Sequence, residues 1–137
     1  MSFLIKGPLE TAEARQMNPL RLAYIGDTVW DMLVRTKLMY LGHNLRHMHA
    51  EAVAQVNAAA QAACLVRCEE VLTAEEHEIV LRGRNAHSKH PVPKNQQASD
   101  YQAATGLEAL MGYLYLTGQQ DRLQYLFDYC HMEETHE

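Results

Sequence analysis

A chain of 137 residues with 47% hydrophobic content supports one domain, read as spanning residues 1–137, with a core of its own and little room for a second. Twelve Lys and Arg against 17 Asp and Glu give a formal net charge of −5, which excludes a wholesale basic coat for nucleic acid. The longest uncharged stretch, residues 52–66, is too short and too rich in Gln and Asn to cross a bilayer, and residues 1–10 carry no basic-then-apolar leader, so a cytoplasmic protein is expected.

Alternating apolar and polar runs are scarce and Asn-Gly or Asp-Gly turns are absent, while Ala, Leu, Met and Gln abound; the composition predicts an all-α fold. Asn18 followed by Pro19 reads as an N-cap with Pro at the first helical position, and Gly42 reads as the C-terminal cap, which predicts a helix over about 19–41. A second, Ala-rich helix is expected over about 48–67, in the interior. Thr73-Ala74-Glu75-Glu76 is a capping box that opens a short acidic helix ending near Arg82-Gly83. Ser99-Asp100-Tyr101-Gln102 repeats the device and opens a helix that Gly118 closes. A last amphipathic helix carries Leu123, Leu126, Phe127 and Cys130. Cys64, Cys68 and Cys130 are an odd set without a CxxC pair, which reads as small buried hydrophobes of a reducing compartment; the eight His add no zinc-ligand spacing.

One long irregular segment is predicted over 83–98, with Pro91 and Pro93. Arg82, Arg84, Lys89 and Lys94 gather four of the 12 Lys and Arg within 13 residues that hold no acid. Such a loop is either an ordinary solvated surface or a local phosphate-binding patch on an acidic protein.

The helix over 19–41 is apolar nearly all round. Leu22, Ile25, Val29 and Leu33 lie on one side, and Leu20, Tyr24, Val34 and Leu38 on the other. So apolar a helix needs more cover than its own chain easily supplies, and a second copy is expected to cover surface such as Trp30 and Leu33. Asp27 falls within about 20° of Leu20, Val34 and Leu38 on the helical wheel, in the middle of an apolar stripe. Glu108 sits at mid-helix amid Ala103, Ala104, Gly106, Leu107, Ala109, Leu110 and Met111. Buried carboxylates need a partner: an ion pair or backbone donors would serve either residue alone. If the two meet they repel each other, and a shared divalent cation reverses that sign. Oxygen ligands alone imply a hard ion, Mg²⁺ or Mn²⁺.

Leu22-Ala23-Tyr24-Ile25-Gly26-Asp27-Thr28-Val29 resembles the signature helix of the ribonuclease III family, Leu-Glu-x-Leu-Gly-Asp-Ala-x. Thr105-Gly106-Leu107-Glu108-Ala109-Leu110-Met111-Gly112 resembles its second acidic motif, Asp-x-x-Glu-Ala-Leu-x-Gly. Arg82-Gly83-Arg84-Asn85-Ala86, Pro93-Lys94-Asn95 and the continuation to Tyr113-Leu114 bring the match closer to the Mini-ribonuclease III subclass, which is the catalytic domain without an appended double-stranded RNA-binding domain. The resemblance covers about residues 20–126.

It implies an all-α homodimer that hydrolyses double-stranded RNA with Mg²⁺, leaving 5′ phosphates, and for the subclass a stem in the precursor of large-subunit (23S) ribosomal RNA. It further implies that Asp27 and Glu108 are the catalytic, metal-binding residues. Ala23 and Thr105 stand where the wider family carries its other two acids. Asp31, one turn beyond Asp27, is expected either to support the site through water or to form an exposed salt bridge, and Thr105 lies at the site's edge. Without an accessory module the RNA needs a phosphate-binding surface on the domain itself, for which Arg82, Arg84, Asn85, Lys89, Lys94 and Asn95 are the candidates. The competing reading is a catalytically silent helical dimer that binds structured RNA or a protein partner; Ala23 and Thr105 favour it, and the retained Asp27 and Glu108 oppose it.

Overall fold

Side-chain caps decide where the helices of the computed structural model begin. It describes residues 3–86 and 98–132, and among them there is no strand; the all-α class holds. In chain order the helices are α1 (Thr11–Gln16), α2 (Pro19–Met39), α3 (Leu45–Gln55), α4 (Ala58–Cys68), α5 (Ala74–Asn85), α6 (Ala98–Leu116) and α7 (Gln120–Cys130), with a 3-10 turn at Glu69–Val71. Asn18 accepts a hydrogen bond from the Leu20 N–H at 2.9 Å, and Gly42 follows the end of α2 with φ +73°. The expected capping box is complete: Thr73 Oγ1 accepts from the Glu76 N–H at 3.1 Å and Glu76 accepts from the Thr73 N–H at 2.9 Å. Gly118, at φ +75°, closes α6.

Three expectations need correction. The single helix over 48–67 is two, because Val56 leaves the helical region at φ −110°, ψ 50° and Asn57 restarts the chain as an N-cap. Asn57 accepts from the Ala60 N–H at 2.9 Å and donates to the Val53 and Ala54 carbonyls at 3.1 and 2.9 Å, so one side chain closes α3 and opens α4. Only α4 is interior, since Ala52 is the one buried residue of α3. The acidic helix does not stop at Arg82-Gly83: α5 continues to Asn85, so the start of the supposed irregular segment is helical, while residues 87–97 lie outside the described ones. Helix α6 begins at Ala98, which puts Ser99 inside its first turn.

Helix α6 forms the centre, buried from Ala103 to Leu114 except at Glu108, and α2, α4 and α5 pack around it. Glycines set those distances. A Cβ on Gly26 would overlap the Glu108 carbonyl and one on Gly112 would overlap the Leu22 carbonyl, so α2 and α6 touch through their backbones. A Cβ on Gly83 would fall 2.9 Å from Gly106 Cα, which brings α5 equally close on the other side. Trp30 does not await a second copy, because its own chain encloses it: Phe127 stands edge-on at 5.2 Å and the indole N–H donates to the Gln55 carbonyl at 3.1 Å.

Candidate active site

The glycine contact between α2 and α6 builds the site. Asp27 follows Gly26, and the Glu108 backbone is what Gly26 touches, so the two carboxyl groups meet. Burial, then the hydrogen bond and charge of Asp27, push Glu108 up to about 8, against the opposing hydrogen bond from Gln61. Both line a cavity of about 720 Å³ whose walls come from α2, the α3–α4 junction and α6, and among the described residues no Lys or Arg lines it.

The burial expected for Asp27 is corrected. Val34 and Leu38 of the same stripe are enclosed, but the stripe opens at Asp27 onto the cavity and leaves its side chain exposed; Glu108 is part-buried. The two positions that lack family acids line the same cavity. Ala23 is nearly buried, and buried Thr105 donates its hydroxyl to the Tyr101 carbonyl at 3.0 Å. Asp31 takes the plainer of its two expected roles, an exposed ion pair with Arg35 at 2.9 Å, and is absent from the cavity wall.

Of the proposed RNA contacts, Arg82 is occupied: its guanidinium donates to the Arg15 and Met17 carbonyls and ties the end of α1 to α5. That is a structural duty, and it corrects the expectation of a free phosphate-binding cation. The stem of Arg84 lies over Gly106, two residues before Glu108, since a Cβ there would meet its Cγ at 3.1 Å. Asn85 is exposed at the end of α5. Lys89, Lys94 and Asn95 lie outside the described residues.

Sequence reasoning missed Gln61. It is buried, lines the cavity and donates its Nε2 to Glu108 at 3.1 Å. A lone Gln between Ala58, Ala62 and Leu65 on a buried stripe was the available signal, but it pointed inward only once the break at Asn57 set the phase of α4. The three cysteines are free and buried as expected. Cys64, Cys130 and His131 bring potential ligand atoms within 4.8 Å of one another. The hydrogen bond with Cys64 and then burial push the Cys130 thiol up, and burial pushes the neighbouring Cys68 thiol up to about 12, so both act as protonated packing groups.

A model of the ribonuclease III domain matches residues 20–119. Mini-ribonuclease 3 of Symbiobacterium thermophilum is 42% identical over 116 residues, covering 84% of this chain and 88% of that one. Mini-ribonuclease 3 of a Synechococcus strain is 46% identical over 118 residues, covering 86% and 83%. The chain belongs to the ribonuclease III family. It is an endoribonuclease of the type that acts on double-stranded RNA, and its relatives place it with the Mini-ribonuclease 3 proteins. The crystal structure of a Fusobacterium nucleatum protein has the same fold, with a TM-score of 0.76, 27% identity and coverage of 83% of this chain and 93% of that one. Enzymes of this family use divalent metal ions, and the donors here suit one: two converging carboxylates in a cavity that no described Lys or Arg lines. Among the described residues no helix is long and apolar enough to cross a membrane.

Proposed function

We propose that this member of the family is a Mg²⁺-dependent endoribonuclease, with Mn²⁺ able to substitute, that acts as a cytoplasmic homodimer on a double-stranded stem of the 23S ribosomal RNA precursor. The observation that carries the reading is the meeting of Asp27 and Glu108 at the glycine crossing of α2 and α6. A divalent ion held by these two residues would supply charge neutralisation at the scissile phosphate and a lowered pKa for the attacking water.

The chain's own residues do the rest. Gly26 and Gly112 fix the backbone separation, so both carboxylates are held in place before substrate arrives and little reorganisation is needed on binding. Gln61 anchors one Glu108 oxygen, leaving the other side of that carboxylate toward Asp27. Arg84 and Asn85, together with Lys89, Lys94 and Asn95, supply the phosphate-binding surface. Acids crowd elsewhere, with five between Glu69 and Glu78, so the net charge of −5 does not describe the RNA face.

The dimer rests on α2 and the segment before it. Tyr24 is 83% exposed and, with Leu20 and Ile25, lines a second apolar cleft next to Phe3 and Ile5, which are also exposed. Leu20, Tyr24 and Ile25 line the catalytic cavity as well, so a second copy on this face would set the two sites side by side, one for each strand. The deciding experiment incubates purified protein with a perfect RNA duplex and with a 23S precursor stem, with and without Mg²⁺, and sizes the fragments. Cleavage only with the ion, and a preference for the precursor stem, are expected; binding of both RNAs without cleavage would instead support the silent dimer that Ala23 and Thr105 favour.

A further inference from the structure

One polar side chain of the cavity wall has no counterpart in the two acidic motifs. Gln61 is 4% exposed, and its Nε2 donates to Glu108 Oε2 at 3.1 Å. Its Oε1 is not one of the sealed, unpartnered atoms among the described residues. An amide on a wall this buried still costs desolvation that Leu or Met of similar volume would avoid. Its placement is also built rather than incidental. Asn57 caps the first turn of α4 by accepting from the Ala60 N–H and closes α3 with two further bonds, and Gln61 follows one turn later on the face that carries Ala58 and Leu65 into the interior.

The direction of the contact has chemical meaning. A donor on one oxygen of a carboxylate fixes its rotation and leaves the other oxygen for an ion. A Glu in place of Gln61 would add a third negative group to the cavity and could not donate when ionised.

We propose that Gln61 is a positioning residue of the metal site: its amide orients the Glu108 carboxylate toward the ion shared with Asp27, and its Oε1 gives the cavity wall a neutral oxygen where Ala23 and Thr105 supply no carboxylate. This rests on the reading of Asp27 and Glu108 as the metal ligands. Partners that orient metal ligands change metal affinity by about 10- to 100-fold when removed, and Gln61 belongs at the lower end because it holds one ligand of two.

The test is a Mn²⁺ titration of the full chain without RNA, read from the electron paramagnetic resonance signal of the free ion, on wild type, Gln61→Met, Gln61→Glu and Asp27→Asn. Gln61→Met is expected to weaken Mn²⁺ binding about tenfold. Its half-saturating Mg²⁺ for duplex cleavage should rise to match, while duplex affinity stays within about twofold of wild type. Gln61→Glu, which keeps the volume but loses the donor and sets a third negative group beside Glu108, is expected to weaken Mn²⁺ binding likewise, and its metal-free form melts lower. If Gln61→Met does not fold, Gln61→Glu carries the test alone, and unchanged or tighter binding there overturns the proposal. A purely structural Gln61 predicts lower melting in both variants with wild-type Mn²⁺ affinity. Loss of Mn²⁺ binding in Asp27→Asn with wild-type binding in both Gln61 variants removes the role of Gln61 alone. Wild-type Mn²⁺ binding in Asp27→Asn removes the metal site and this proposal together.

Discussion

Two glutamates sit in the packed part of this molecule, Glu76 in the first turn of α5 and Glu108 midway along α6, and their surroundings have opposite signs. Glu76 is almost fully enclosed, yet its carboxylate is held on every side. Arg122 grips it with two N–H donors at 2.9 and 2.8 Å, and the Thr73 N–H donates at 2.9 Å. Burial alone would raise its carboxyl, but those donors hold it below the usual carboxylate range. Glu108 is less enclosed, meets another carboxyl instead of a cation, and is pushed up to about 8. A fold that can supply a bidentate Arg for one buried glutamate and leaves the other facing Asp27 has made the second site incomplete without a ligand. On the proposed reading of Asp27 and Glu108, the difference separates a carboxylate that stabilises the fold from one kept for chemistry.

Breaking the satisfied side of the comparison should have the largest effect. Arg122→Met strands Glu76 without its cation and also vacates the Val71 carbonyl, which Arg122 contacts at 2.6 Å. Removal of one partner of a buried pair costs about 3–5 kcal/mol, so a large fall in melting temperature is expected. A double replacement, Glu76→Gln with Arg122→Met, should recover part of it. Denaturant melts of the three proteins check both statements, and a single variant as stable as wild type would remove the contrast.

The unsatisfied side responds differently. Asp27→Asn keeps volume and hydrogen-bonding capacity but removes one of two charges that hold the ion, so Mg²⁺-dependent cleavage should fall at least about a hundredfold, or about 2.7 kcal/mol of transition-state stabilisation. Metal-free stability should hold or rise, because the amide relieves the repulsion with Glu108. Duplex cleavage and thermal melting measured on one preparation separate this from a structural role, for which the melting temperature would drop and cleavage survive.

The same contrast sets opposite pH slopes. Glu108 has its carboxyl raised in the folded state, so its contribution favours folding below its ordinary value near 4.5 and is lost as pH rises toward about 8. Glu76 has its carboxyl lowered, so its contribution is present above 4.5 and is lost on acidification. Metal-free protein should therefore lose stability between about pH 5 and 8 relative to Glu108→Gln, and Mn²⁺ should return it at the upper end of that range. Melting curves at stepped pH with and without Mn²⁺ test this; parallel curves for wild type and Glu108→Gln would refute it.

How much of this could be read from sequence follows from the range of the interactions. Asn18, Thr73 and Gly118 act on backbone within four residues, and the helix ends they set were legible. Asn57 acts just as locally but lies in a run of Ala that suits a helix on either side, so the break was hidden and Gln61 with it. Gly26 and Gly112 announced close approach without naming the partner helix, and the motif resemblance, not the spacing, joined Asp27 to Glu108. The exposure of Asp27 and the commitment of Arg82 to α1 depend on packing between distant segments, for which the sequence carries no local mark.

The smallest expected effect concerns the proposed phosphate-binding residues. Neutralising Arg84, Lys89 and Lys94 together should weaken duplex binding and flatten its salt dependence, since each lost phosphate contact removes about 0.9 from the log–log slope for double-helical DNA and a comparable amount for RNA. Arg82 is left intact in this design because its guanidinium holds the Arg15 and Met17 carbonyls, and its loss would confuse binding with unfolding of α1. Arg82→Gln alone should behave in the opposite way, lowering the melting temperature with little change in slope. Binding isotherms at several salt concentrations, paired with melts, distinguish the two sets. An unchanged slope in the triple variant would assign the segment after α5 to ordinary solvated surface, and a flattened slope in Arg82→Gln would return Arg82 to the phosphate-binding group.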